Sequence, residues 1–190
     1  MTREDILEAA AQIFSQKGYH AASMQDIANS VNLQKASLYH HVSSKQEILL
    51  ELLDQALDLL IGQIEPICQS SLSHEDKLRQ AMRQYVHYLT ENRDLAAILL
   101  LEHRSLEEDL RQRHLPRRDR FEHLWRVLIQ AGSAAGDFCA CDSAMAARAL
   151  LGQMNWVITW YRADGVLSAM QVADQFADLF LSGLLQRSPA

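Results

Sequence analysis

Residues 23–45, SMQDIANSVNLQKASLYHHVSSK, decide the fold of this chain. They read as two short helices joined by a tight turn and followed by the start of a third, the layout of a helix-turn-helix. Ser23 is placed to cap the first helix, with Asp26 three residues on as a variant of the capping box. Ile27, Ala28 and Val31 fall at i, i+1 and i+4 and make one buried stripe. Asn32 stands where the chain needs a positive φ to leave the helix, and Asn tolerates that conformation best after Gly. Leu33 plugs the turn, Leu38 anchors the second helix, and Ala28 is small where the two helices cross. The outer face of the second helix carries Gln34, Lys35, Ser37, Tyr39 and His40, all able to bond phosphates or base edges.

Outward from this stretch, helix signals recur and strand signals do not. A first helix is expected over 2–17, with Ile6, Ala10, Ile13 and Phe14 on one face and Gly18 as its stop. Ser43 or Ser44 starts a fourth helix, whose stripe runs from Ile48 to Leu60 and which Pro66 should end. Capping boxes at Ser73 and Ser105 open further helices, the second stopping near Pro116. Helices are expected over 95–102, 117–132 and 142–163, with a Gly/Ala-rich loop before Cys141. Ser168 with Gln171 caps the last helix, which ends near Gln186. The expected fold is all-α with about nine helices. It divides into a helix-turn-helix module at 1–45 and a larger helical domain at 46–190, the fourth helix leading from one into the other.

Composition narrows the function classes. Of 190 residues 48% are hydrophobic, enough for a core, and only 7 are Gly and 3 Pro, too few for a turn-rich β fold. No apolar run reaches the ~20 residues of a membrane span, and the first five residues lack the apolar region of a secretory signal. Three Cys, an odd number, fit a reduced, cytoplasmic protein. Residues 1–45 carry four basic and four acidic side chains, and residues 46–190 carry 14 and 20, giving a net charge of −6. A DNA reader of this kind depends on where its cations sit rather than on bulk charge. There is no HExxH, no Gly-rich phosphate loop and no nucleophile elbow, so neither an enzyme nor a metal site nor a cofactor is expected. The Cys139-Ala140-Cys141 pair lacks a second pair and reads as a small loop.

Residues 6–49, ILEAAAQIFSQKGYHAASMQDIANSVNLQKASLYHHVSSKQEIL, resemble the DNA-binding domain of the TetR family of bacterial transcriptional repressors along their whole length. The resemblance rests on Lys17-Gly18-Tyr19, the helix-turn-helix, Leu38-Tyr39-His40-His41-Val42 and Ser44-Lys45. Gln34 stands where a capping Ser or Thr is usual, Ala36 where Gly is common, and Val42 in place of Phe. The resemblance implies DNA contact by Ser23, Gln34, Lys35, Ala36, Ser37, Tyr39, His40 and Lys45. Asn155-Trp156-Val157-Ile158-Thr159-Trp160-Tyr161-Arg162, with Asp164-Gly165 and Leu167-Ser168, looks like the C-terminal domain of FadR-type regulators of fatty-acid, phenylacetate or sterol breakdown. Those regulators sense acyl-CoA thioesters.

The expected function is a ligand-responsive repressor acting on a near-palindromic operator and released by an apolar effector. One short recognition helix makes too few base contacts, so a homodimer with two-fold symmetry is expected. Leu150, Met154, Phe176, Phe180 and Leu184 are the candidate partner-facing residues. Arg111, Arg113, Arg117, Arg118 and Arg120 lie among Glu107, Glu108, Asp109, Asp119 and Glu122. They either pair with those acids or meet the phosphates of a CoA group. Trp156 and Trp160, at i and i+4, have three competing roles: core, interface or pocket wall. Candidate ligand contacts are Arg104, Arg113, Arg117, Arg120, Trp156, Trp160 and Arg162. The alternatives are a sensor of diverse apolar drugs on the same fold, or a helical lipid-binding protein or enzyme.

Overall fold

A computed structural model describes residues 2–184 and is helical throughout their length, apart from connecting turns. The helices are α1 (Arg3–Lys17), α2 (Met24–Ser30), α3 (Lys35–Leu38), α4 (Lys45–Gln69), α5 (His74–Glu91), α6 (Arg93–Ala97), α7 (Glu108–Ala135), α8 (Ser143–Asn155), α9 (Val157–Trp160) and α10 (Ala169–Leu184). A π-helical turn (Ile98–Glu102) and a 3-10 turn (His103–Ser105) link α6 to α7. No helix among the described residues is long and apolar enough to cross a membrane.

The chain forms two compact units. One comprises Met1–Asp58 with Asn92–Arg118, the other Leu59–Glu91 with Asp119–Ala190. The boundary expected after residue 45 separates the reader from the rest by role. Compactness instead assigns the start of α4, the linking turns and the first part of α7 to the reader's unit.

In the first unit, Thr2 caps α1 through a reciprocal box with Asp5. Ile6, Leu7, Ala10, Ala11 and Phe14 form its inner face, and α1 packs on α2 and α6; Ile27, Ala28 and Leu38 of the reader and Leu49 and Leu53 of α4 are likewise fully buried. In the second unit α10 lies along α5, held by ion pairs of Arg79 with Asp178 (2.6 Å) and Arg83 with Asp174 (2.5 Å). Its inner face is Val172, Ala173, Ala177, Leu181 and Leu184. The larger side chains of that face stabilise by roughly 1.5–3 kcal/mol each when fully buried. Tyr85, Phe121 and Trp125 form an aromatic cluster in the same core, with Trp125 edge-on to the other two rings.

Two expected stops are not stops. Pro66 lies inside α4, which continues to Gln69, and Pro116 lies inside α7, a single helix of 28 residues. A proline's ring crowds the residue four positions back, which in α4 is Gly62, with no side chain to add to the crowding. The box expected at Ser105 does not form. Its hydroxyl turns back to Glu102, and α7 begins at Glu108. Conversely, the helix expected over 142–163 breaks at Trp156 and ends at Trp160.

Candidate functional site

The reader is built as its residue pattern requires. Ser23 accepts the Asp26 N–H (3.1 Å), and its own N–H and hydroxyl donate to the Asp26 carboxylate (2.9 and 2.6 Å). Lys17 from α1 pairs with the same carboxylate at 2.8 Å. The Lys17 and Ser23 bonds hold the Asp26 carboxyl well below the usual carboxylate range. Asn32 adopts φ 55°, as expected of the turn, and the Leu33 N–H closes on the Ala28 carbonyl at 2.8 Å. α3 is a single turn, extended by tighter bonds from the N–H groups of His40, His41 and Val42.

Leu38 is fully buried, and this fixes the rotation of α3. Gln34, Lys35, Ala36, Tyr39 and His40 are exposed and Ser37 half-buried. Gln34 precedes the helix in an extended conformation and makes no capping bond, which leaves its amide unspent. Lys35 has no ion pair among the described residues. The surface therefore presents a bidentate amide, a cation, a hydroxyl, a phenol and an imidazole side by side, groups that read base edges and hold phosphates.

Two predicted contacts have other occupations. The Lys45 ammonium donates to the backbone carbonyls of Tyr19 (2.9 Å) and Ala22 (2.7 Å) and sits 4.3 Å from the centre of the Tyr19 ring. It braces the turn between α1 and α2 rather than standing free for a phosphate. The Ser23 hydroxyl proton is likewise committed to Asp26.

The predicted ligand contacts divide between the units. In the first, Arg113 pairs with Glu47 (3.1 Å), and Arg117 with Asp54 (2.9 Å) and Asp58 (3.1 Å). Arg104 is exposed and has no ion pair among the described residues. In the second, Arg120 pairs with Glu65 (2.9 Å) and Arg162 with Asp164 (3.2 Å). The acids that hold Arg113, Arg117 and Arg120 belong to α4, not to the neighbours in sequence; Arg111, beside Glu108, is the local case. Trp156 and Trp160 are exposed, at 67% and 45%. The Trp160 ring meets Phe176 edge-on at 6.3 Å.

Of the partner-facing candidates, Leu150 and Met154 are fully buried and Leu184 is 7% exposed. They belong to the core of their own unit, Leu150 and Met154 on the inner face of α8 and Leu184 on that of α10. Phe176 and Phe180 are half-buried. On α8 and α10 the large apolar side chains left exposed are instead Met145 (60%), Met170 (48%) and Leu179 (70%). A shallow groove of about 360 Å³ runs between α8 and α10, lined by Ala146, Gln153, Leu179, Phe180, Gly183 and Leu184.

The pattern did not single out His103, His114 or Trp125. His114 is 2% exposed, with Nδ1 2.8 Å from an Asp54 oxygen. Among the described residues, its Nε2 and the Nδ1 of His103, in the first unit, are buried without a hydrogen-bond partner, as is the indole N–H of Trp125 in the second. Such groups are rare in native interiors. In the sequence Asp54, the partner of His114, stands with Glu47, Asp58 and Glu65 at spacings of seven, four and seven along α4.

The fold and the exposed second helix define a helix-turn-helix protein with a large all-helical companion region. Residues 6–52 match the family described as bacterial regulatory proteins, tetR family, and residues 71–184 match the tetracyclin repressor-like C-terminal domain. The chain belongs to the TetR family of transcriptional regulators. It is similar to the transcriptional repressor KstR2 of Mycolicibacterium smegmatis, 29% identical over 97% of this chain and 91% of that one. Among solved structures it is similar to the TetR-family regulator PfmR of Thermus thermophilus (39% identity, TM-score 0.86, 95% and 99% covered). It is also similar to AibR in complex with isovaleryl coenzyme A and operator DNA (28% identity, TM-score 0.87, 93% and 96% covered). These relatives are regulators, not enzymes.

Proposed function

We propose that the chain is a ligand-responsive repressor that binds a near-palindromic operator as a homodimer and is released by an acyl-CoA. The observation that carries the DNA reading is the outward set Gln34, Lys35, Ser37, Tyr39 and His40 around the buried Leu38. Gln34 and Lys35 are the base readers and Tyr39 and His40 the phosphate contacts. The acyl-CoA reading is supported by the likeness to AibR with isovaleryl coenzyme A. Arg113, Arg117 and Arg120 are held by α4 acids, so the CoA phosphates fall to Arg104 and Arg118, which have no ion pair among the described residues. An effector releases DNA only in so far as it binds the released state more tightly.

The test is to select a palindromic duplex from a random pool with the purified protein and measure its affinity by fluorescence anisotropy. Tyr39→Ala should weaken selected and random duplexes alike, whereas Gln34→Ala should shift preference at particular bases by ~1–3 kcal/mol. Isovaleryl-CoA and longer acyl-CoAs should then displace the protein, while CoA alone and the free acids should not. Selection of no sequence would sink the DNA reading. Displacement by free acids at equal potency would remove the CoA group from recognition, and displacement by unrelated apolar drugs alone would favour the drug-sensor reading.

A further inference from the structure

The passage between α6 and α7 is not α-helical. Ile98–Glu102 is a π turn and His103–Ser105 a 3-10 turn. Two departures from α geometry in succession are uncommon, and π turns recur at functional sites. The last residue of the π turn, Glu102, makes two bonds with its carboxylate. One oxygen accepts the backbone N–H of Tyr19 at 3.1 Å and the other the hydroxyl of Ser105 at 3.0 Å. Because Ser105 gives its proton to Glu102, its oxygen is the acceptor for the His20 Nε2, 3.1 Å away.

The same short turn, residues 18–22, is gripped from its other side by Lys45, which takes the carbonyls of Tyr19 and Ala22. Gln46 joins the two grips. Its amide N–H donates to the Ser105 carbonyl at 2.9 Å and its oxygen accepts the Glu107 N–H at 3.0 Å. The turn is otherwise held by its own packing: the Ala22 N–H bonds the Gly18 carbonyl at 3.2 Å, and the buried Tyr19 ring meets Phe14 edge-on. Gly18 opens it at φ 80°, and a side chain there would begin 3.8 Å from the Glu102 oxygen. Ser23, the cap of α2, follows the turn directly.

Resting on the DNA reading above, we infer that Glu102 is a positioning residue for operator recognition: seated by the π turn, it clamps the 18–22 turn from which the reader is launched. The clamp depends on register. One residue of α-helix turns the chain by about 100°, so a relaxation of 98–102 to α geometry carries the Glu102 carboxylate away from the Tyr19 N–H. The Tyr19 N–H then loses its carboxylate acceptor while the Lys45 bonds to the Tyr19 and Ala22 carbonyls remain, and the reader loses a fixed angle without losing its surface groups. Phosphate attraction survives such a change, because it does not require a set orientation. Base readout does not survive it.

The experiment uses the full-length protein with Glu102→Ala, Glu102→Gln and Ser105→Ala, and three readouts: amide exchange at Tyr19, affinity for the selected palindrome and affinity for a random duplex. Glu102→Ala should speed Tyr19 exchange and weaken the palindrome by about tenfold or more, with the random duplex changed by less than about twofold. Glu102→Gln keeps an acceptor for the Tyr19 N–H and should recover most of the loss. Ser105→Ala, which removes the Ser105–Glu102 bond and the His20 leg but leaves the Tyr19 N–H its acceptor, should move in the same direction by less. If Glu102→Ala fails to fold, Ser105→Ala and Glu102→Gln carry the same comparison. Fast Tyr19 exchange with palindrome affinity unchanged would make Glu102 a brace with no part in recognition, and unchanged Tyr19 exchange would remove the clamp itself. A wild-type protein that selects no palindrome overturns the DNA reading, and Tyr19 exchange still reports on the clamp.

Discussion

Lys35 and Leu38 lie three residues apart on a helix of four and have opposite fates, one exposed and one wholly buried. The burial of Leu38 decides which groups face outward, so the reader's surface depends on one apolar side chain. His103 shows the reverse dependence, of a titrating group on its surroundings. Burial, first, and then the charges of Arg118, Arg104 and His114 lower its pKa below the usual histidine value. In the unfolded chain His103 takes up its proton near pH ~6.5, but in the folded chain only at lower pH. The unfolded state therefore binds more protons between the two values, and stability contributed by neutral His103 is present above pH ~6.5 and lost as pH falls below it. His103→Leu should flatten this part of the profile relative to the unmodified protein when stability is followed by denaturant unfolding across the mildly acidic range. Parallel profiles for the two proteins would mean that His103 titrates alike in both states.

At the scale of elements, the loop after α7 closes by insertion. Phe138 is 2% exposed and packs over Gly132 within α7. A Cβ at residue 132 would lie 2.2 Å from the Phe138 ring, well inside contact distance. Gly132 thus serves a close approach rather than a turn, and Gly136, at φ 84°, serves the turn. Gly132→Ala gains helix propensity of ~1 kcal/mol yet should destabilise on balance, because overpacking costs roughly 1–3 kcal/mol. Thermal unfolding of Gly132→Ala beside Gly136→Ala separates the two demands. A rise in Tm for Gly132→Ala would show that Phe138 leaves its seat at little cost.

At the scale of the whole molecule, Leu179 and Met145 are the large apolar side chains left exposed beside the groove between α8 and α10. Apolar groups in such a position are the expected centre of a two-fold contact, where each copy offers the same patch. In the proposed homodimer, Leu179→Glu places a charge on that patch without touching the buried face of α10, so it should give a folded monomer. Light scattering with circular dichroism checks this, and a dimer unaffected by Leu179→Glu would place the contact elsewhere. Loss of the dimer should also reduce the dependence of DNA binding on salt, since about 0.9 of a unit of slope belongs to each neutralised phosphate and one reader reaches half as many.

The reader was legible in the sequence because its information is local. The Ser23–Asp26 cap, the positive φ of Asn32 and the anchor Leu38 each follow from a few neighbouring residues, and all stand as the pattern implies. The all-helical class followed from apolar residues recurring at a period near 3.6. Periodicity says that a helix has an apolar face, but not which neighbour covers it. So Leu150 and Met154 read as partner-facing and are core, while Leu179 on the opposite side of α10 was passed over. The same limit governs charge. Arg117 has acids beside it in sequence, yet its partners are Asp54 and Asp58, 63 and 59 residues away. Lys45 and Glu102 are an ordinary lysine and an ordinary glutamate until the chain returns, and only then do they close on the two sides of the turn at 18–22. Local sequence determined the helices, their caps and the surface of the reader. Tertiary structure decided the partner of each charge, because that choice depends on which distant segments come within hydrogen-bonding reach.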